Sequence, residues 1–189
     1  QKMPMRIIYQ IVLILSLLTA CTQDDEVALK NLIVNGNFET DDGTADYTGW
    51  RGTAHLLDTG RNKMIPLIKN APPQGGEWSV LIRPQWASQP GYIETTFAGA
   101  NGTHIYQVHA WVKSPNWKAG ISLIQRRNGE SIRSKYVLDE SEIWKQISFR
   151  DTFDTKAGDS LTLRLNAGYT HYRSADVQFD LIEVLLIDI

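Results

Sequence analysis

The chain has 189 residues, 42% of them apolar and 21% charged, with a formal net charge of −2. That balance excludes a disordered polyelectrolyte and a nucleic-acid binder carried by a basic face, and the acidic excess is too small to name a partner. Without residues 1–20 the chain is still of one-domain size, enough for a sizeable core.

Lys2 and Arg6 lead into a stretch from 7 to 18 that is apolar except for Tyr9, Gln10 and Ser16. It is too short to span a bilayer, which needs roughly 20 apolar residues. A charged start, a short apolar stretch and a small-residue cleavage site are the pattern of a secretory signal. Met3 and Met5 are both candidate starts. The stretch ends in Leu18-Thr19-Ala20-Cys21, which resembles the lipobox of bacterial lipoproteins, in which the thiol is acylated and cleavage frees the amino group of the cysteine. Cys21 is the only cysteine, so no internal disulfide explains it. The resemblance implies lipidation there; a buried free thiol fits the end of a signal peptide poorly. Gln23, Asp24, Asp25 and Glu26 form an acidic run without periodicity, read as a tether between lipid and domain. Acidic residues at that place also resemble the surface-export signal of lipoproteins in the Bacteroidetes. The expected layout is a signal peptide at 1–20, lipidated Cys and tether at 21–30, and one domain at 31–189. The expected location is the cell envelope, lipid-anchored at the outer membrane and open to surface exposure.

From Asn31 onward, short segments rich in Val, Ile, Thr and aromatics alternate with turn clusters. This predicts an all-β fold of two antiparallel sheets packed face to face. Strands are expected at 55–58, 78–83, 91–97, 104–113, 121–126, 144–153, 160–166 and 177–187. Asn35-Gly36, Asp42-Gly43, Gly75-Gly76, Asn101-Gly102 and Asn128-Gly129 supply residues that accept the positive φ of tight turns. Alternation sends Tyr106, Val108, Ala110 and Val112 inward, and Gln107, His109, Trp111 and Lys113 outward. It likewise sends Leu161, Leu163 and Leu165 inward, with Thr162, Arg164 and Asn166 opposite. No helix of useful length and no internal repeat is expected.

The run Asn31-Leu32-Ile33-Val34-Asn35-Gly36-Asn37-Phe38-Glu39, followed by Gly49-Trp50, resembles the opening of the jelly-roll carbohydrate-binding modules grouped as families 4, 9 and 22. Segments 106–113, 144–149 and 177–182 resemble their middle strand, the strand before the last hairpin and the closing strand, in that order. The resemblance implies a galactose-binding-like jelly roll over 31–189. Such modules hold a sugar chain on a concave sheet face or at loop tips and assist an attached hydrolase; here no catalytic domain is expected after the module. The implied ligand is a poly- or oligosaccharide, with a glycan-degrading enzyme as a further partner. The resemblance also implies a structural calcium near the chain ends, with Glu39 and Asp180 as the acidic ligands and carbonyls completing the shell.

Sugar binding needs aromatic faces for C–H stacking and fixed polar groups for hydroxyls. Trp111 is the expected platform, with Gln107, His109, Arg164 and Asn166 around it, and Trp86 and Trp117 stand in stretches expected to be loops. Trp50, Trp144 and Tyr106 read as structural. Tyr169, His171 and Tyr172 cluster before the last strand, while Glu94, Gln125 and Arg126 read as a solvated face. The four His have no zinc spacing, and Asn101-Gly102-Thr103 reads as a turn rather than a glycosylation site. Two other classes compete, one of them a small jelly-roll polysaccharide lyase or glycoside hydrolase, although spacing alone assigns no pair of carboxylates to glycoside hydrolysis. Gln107-Val108-His109 resembles the Gln-Ile/Val-His motif of jelly-roll alginate lyases, with Tyr169 as an imagined proton donor, although the Arg-rich and Tyr-Phe-Lys motifs of those lyases are missing. A surface protein-protein interaction or structural subunit is the third. An open groove holding Trp111, His109 and Arg164 would favour glycan binding, and a filled face the structural role.

Overall fold

The structure, a computed structural model, describes residues 29–52, 65–83, 91–167 and 176–187. Within them every regular element is a strand: β1 (Arg51–Gly52), β2 (Leu67–Ile68), β3 (Ser79–Ile82), β4 (Tyr92–Ala98), β5 (Gly102–Arg127), β6 (Glu130–Thr155), β7 (Ser160–Ala167) and β8 (Val177–Ile187). All pairs are antiparallel, in the order β1-β4-β7-β5-β8-β3-β2, with β6 along the other edge of β5.

β5 makes two layers out of this one sheet. Residues 105–113 of β5 pair with β8, and residues 119–126 pair with β7. Between Val112 and Ala119 its ladder to β6 shifts register twice. Pro115 lies in that stretch and lacks the N–H a ladder needs. The strand crosses there from a first layer (β2, β3, β8, the first part of β5 and the last part of β6) to a second (β1, β4, β7, the second part of β5 and the first part of β6). The expected strands 104–113 and 121–126 are therefore one element. Trp117, expected in a loop, falls within β5.

Parity decides what faces the interior. Tyr106, Val108, Ala110 and Val112 of the first layer and Ile121, Leu123, Leu161, Leu163 and Leu165 of the second are fully buried in a single cluster. Each such aliphatic side chain contributes about 1.5–3 kcal/mol by leaving water. Tyr106 meets Phe153 edge to face at 5.9 Å, and its hydroxyl accepts from Ala100 N at 2.9 Å. β8 needs a bulge to keep this pattern. Its register to β5 shifts between His109 and Trp111, and Leu181 takes a φ of 46°. Phe179, Ile182 and Val184 can then all face the core while Asp180 turns to the other side.

The opening segment 31–38 lies along the edge of β8 that β3 leaves free. Leu32 N donates to Val184 O at 2.8 Å and Ile182 N to Gly36 O at 2.9 Å. The backbones approach so closely at Gly36 that a Cβ there would overlap the Ile182 carbonyl. Trp50 is structural as expected, buried beside Phe38 with Nε1 donating to Asn35 O.

Three further strand boundaries differ from expectation. β6 begins at Glu130 rather than 144, because residues 130–136 are exposed on both sides and show no alternation to read. β1 and β2 are two-residue pairings with no periodicity at all. The expected strand 55–58 lies outside the described residues.

Candidate functional site

The outer side of the second layer carries its polar groups in cross-strand rows. One row runs Arg51, Glu94, Arg164, Ser122 and Tyr136, and the next runs Tyr92, Asn166, Gly120 and Leu138. Arg164 donates through Nε and Nη2 to Glu94 Oε2 at 2.9 and 2.7 Å, and Arg51 Nε donates to Glu94 Oε1 at 3.2 Å. The Arg164 guanidinium also lies over the Tyr92 ring, 4.1 Å from its centroid. Charge-assisted bonds and a stacked face hold this side chain in one orientation. Glu94 is only 7% exposed, so it forms a floor beneath the arginines rather than the solvated face expected for it. Gln125 is buried too, donating to Asp154 O and Asp159 Oδ2.

Tyr136 is the residue the sequence reading missed. Its hydroxyl reaches across to Asn166 Oδ1 at 3.4 Å and passes over Gly120, where an added Cβ would lie 2.6 Å from the Tyr136 oxygen. Gly120 thus leaves room on the strand for the tyrosine hydroxyl, which reaches over it. Burial of the hydroxyl end pushes the phenol above the ordinary tyrosine range, yet the residue as a whole stays 46% exposed. An exposed aromatic ring on a sheet beside fixed donors and acceptors is a surface on which a pyranose can stack. The one available signal was Gly120 itself, since glycine inside a strand marks a close approach.

Gln107, His109 and Trp111 share the outer side of the first layer and are half-buried. Gln107 Oε1 accepts from Arg150 Nε at 2.5 Å, and its amide nitrogen bonds His109 Nε2. An amide nitrogen only donates, so this places the imidazole proton on Nδ1. That atom is buried without a partner. Trp111 stands opposite Asp180 on β8 and Gln146 on β6. The expected single platform is therefore divided. Arg164 and Asn166 belong to the second layer and Trp111, His109 and Gln107 to the first, each set facing away from the shared core, because β5 changes layer at its kink. Trp86, Tyr169, His171, Tyr172 and Cys21 lie outside the described residues, as does the side chain of Trp117.

Glu39 and Asp180, far apart in the chain, meet beneath residues 72–76. Glu39 Oε1 accepts from Glu77 N and Trp78 N at 2.5 and 2.6 Å. Asp180 is fully buried, and its Oδ2 has no partner. Burial, with Glu39 adding its charge against the backbone bond from Leu181 N, pushes the Asp180 carboxyl up to about 8. Cβ atoms on Gly75 and Gly76 would overlap the Asp180 and Glu39 carboxylates, so the loop backbone passes directly over both. A polar concavity of about 530 Å³ opens beside Glu39. Two close carboxylates with an unpartnered oxygen suit a hard cation such as calcium, which would offset their repulsion. No group of three or more His, Cys, Asp or Glu is gathered among the described residues, so carbonyls would complete the shell.

No protein-family model matches the chain, and no curated protein matches it. Solved structures do. The CBM22-1 xylan-binding domain of Xyn10C from Paenibacillus barcinonensis is 15% identical with a TM-score of 0.55, over 86% of this chain and 97% of that one. The enzymatically active domain of tailspike protein 4 from bacteriophage CBA120 is 12% identical with a TM-score of 0.60, over 83% of this chain. An arabinose-bound GH51 α-L-arabinofuranosidase is 12% identical with a TM-score of 0.55, over 87%. This chain spans only 21% of the tailspike chain and 28% of the arabinofuranosidase chain. These likenesses define the class of the fold: an all-β antiparallel sandwich of the jelly-roll type found in carbohydrate-binding modules.

Proposed function

We propose that this chain is a membrane-anchored, non-catalytic glycan-binding lipoprotein that binds poly- or oligosaccharide on the outer face of its second layer and assists glycan capture or degradation. The observation that carries this reading is the exposed Tyr136 ring beside the preset Arg164–Glu94–Arg51 array, on a fold shared with a xylan-binding domain. In this reading Tyr136 stacks on the sugar, and Asn166, Arg164 and Arg51 supply its polar contacts. Glu39 and Asp180 hold calcium as a structural ion, away from the ligand, and Cys21 carries the lipid. A glycan-degrading enzyme is the expected partner.

A second surface is favoured by the unpartnered Nδ1 of His109. There Trp111 would be the platform, with Gln107 and His109 as its polar partners. A lyase built on Gln107 and His109 would use that same surface. Screening the full chain, in detergent, against immobilised glycans separates these readings. Tyr136→Ala should abolish or sharply weaken capture while Trp111→Ala leaves it within about twofold. The reverse pattern moves the site to the first layer, and release of unsaturated products would replace binding by lyase chemistry.

A further inference from the structure

The described residues on the outer face of the second layer have a net charge opposite in sign to that of the molecule. The chain carries a formal charge of −2. Among the described residues of the face, however, three arginines answer to one carboxylate. Arg51 and Arg164 both pair with Glu94, at 3.1 and 2.7 Å. Arg126, on the same side of β5, bonds only the Thr162 hydroxyl and the Gly129 carbonyl, at 3.3 and 3.2 Å. Among the described residues it has no carboxylate partner. The local sum of these four groups is +2.

The arginines are joined by neutral hydroxyls. Thr162 Oγ1 lies 3.0 Å from Thr96 Oγ1, which Arg51 Nη2 approaches at 3.5 Å. Arg126, Thr162, Thr96, Arg51, Glu94 and Arg164 therefore form one continuous polar line across the strands, ending in the row that holds Tyr136. The Arg51 side chain is 64% exposed and faces solvent with its charge only half answered. Arg126 contributes its whole charge. A planar guanidinium offers paired N–H groups in the geometry that a carboxylate or sulfate presents, and a neutral hydroxyl matches that geometry poorly.

We infer that the ligand of this face is an anionic glycan, one whose carboxylate or sulfate groups meet Arg51 and Arg126 while a ring stacks on Tyr136. This deepens the proposed function and rests on it. A polymer with regularly spaced charges also gains from having two unanswered arginines on one face, because each pairing releases counterions and makes capture depend on salt.

The test uses the full chain in detergent on immobilised polysaccharides in three series: neutral, uronate-bearing and sulfated. Each uronate polymer is matched with a copy whose carboxyl groups have been reduced to alcohols. Capture confined to the charged series is expected, weakened at least tenfold by carboxyl reduction or desulfation and at least tenfold between 50 and 500 mM NaCl. The uronate and sulfate series separate the two sources of charge. Arg126→Gln should weaken capture at least fivefold with the melting temperature unchanged, since no carboxylate loses a partner. Tyr136→Ala should also weaken it, which distinguishes a built site from nonspecific ion exchange. If reduced polymers bind within twofold of their parents, or the neutral series binds as well, the anionic specificity is wrong and the glycan-binding face stands. If no polymer in any series binds, both fall.

Discussion

Gly120 shows how one missing atom can make a surface. Its neighbours across the sheet are Asn166 on β7 and Leu138 on β6, and both Asn166 and Tyr136 occupy the space a side chain would fill. Gly120→Ala should lift the Tyr136 ring and displace the Asn166 amide, at about 1–3 kcal/mol of overpacking. We expect glycan capture to fall with it, whereas Tyr136→Phe keeps the ring and should bind within about threefold of the parent. A ring that can be lost without effect on capture would make Tyr136 an edge-strand residue and nothing more. Alternation correctly placed Arg164 and Asn166 on an outer face, because Leu161, Leu163 and Leu165 between them are unambiguous. It could not supply Tyr136. That residue sits in a run from 130 to 143 where Arg133, Lys135 and Asp139 break every apolar repeat.

At the scale of elements, two devices tie distant parts of the chain together. The first joins the end of β5 to the turn before β7. Arg127 donates through Nε and Nη2 to the two oxygens of Asp159 at 2.8 and 2.7 Å, and Lys156 N adds a third bond at 3.0 Å. The Arg127 guanidinium and then the Lys156 amide hold the Asp159 carboxyl well below its ordinary value of 3.8. A group depressed in the folded state stabilises it at pH values above the unfolded value, and that contribution is lost as pH falls below 3.8 toward the folded one. Asp159→Asn should therefore melt earlier than the parent at pH 7. The two curves should converge as the pH is taken below 3.8; a gap that persists unchanged in acid would exclude the linkage. The second device is proposed: calcium held between Glu39 and Asp180 would join the opening segment to β8. With calcium bound only by the folded state, stability rises by about 2.7 kcal/mol at a hundredfold excess over Kd. Removing calcium with a chelator should lower the melting temperature, and restoring it should recover the loss. A calcium-loaded sample whose melting temperature ignores the chelator would leave the pair without a structural ion.

For the whole molecule, the domain and its address are separate matters. The sandwich gains its stability from a core shared by two layers, built among the described residues from Ile33 to Val184. Anchoring is expected to depend on a single atom, the Cys21 thiol. Cys21→Ala should abolish fatty-acid labelling and release the domain from membranes while its glycan capture in detergent stays within about twofold. Labelling that survives the substitution would end the lipoprotein reading.

The sequence by itself determined the strand class, the inward and outward faces of the first part of β5 and of β7, and the turns. Asn128 and Gly129, for instance, take φ values of 53° and 84° at the β5–β6 hairpin, as an Asn-Gly dipeptide between strands announces. These are local consequences of a two-residue period and of which residues tolerate positive φ. It also brought Glu39 and Asp180 forward together, through the motifs at the two ends of the domain. Only the tertiary structure decided which outward faces coincide. The crossing of β5 between layers at its kink put Trp111 and Arg164 on different surfaces and brought Arg51, Glu94 and Tyr136 to Arg164 instead. A period of two states that a side chain points away from the core, but the core has two outsides. The layer a strand segment joins is set by pairings between residues far apart in the chain, such as Glu94 with Arg164 and Val80 with Phe179, which no local pattern records.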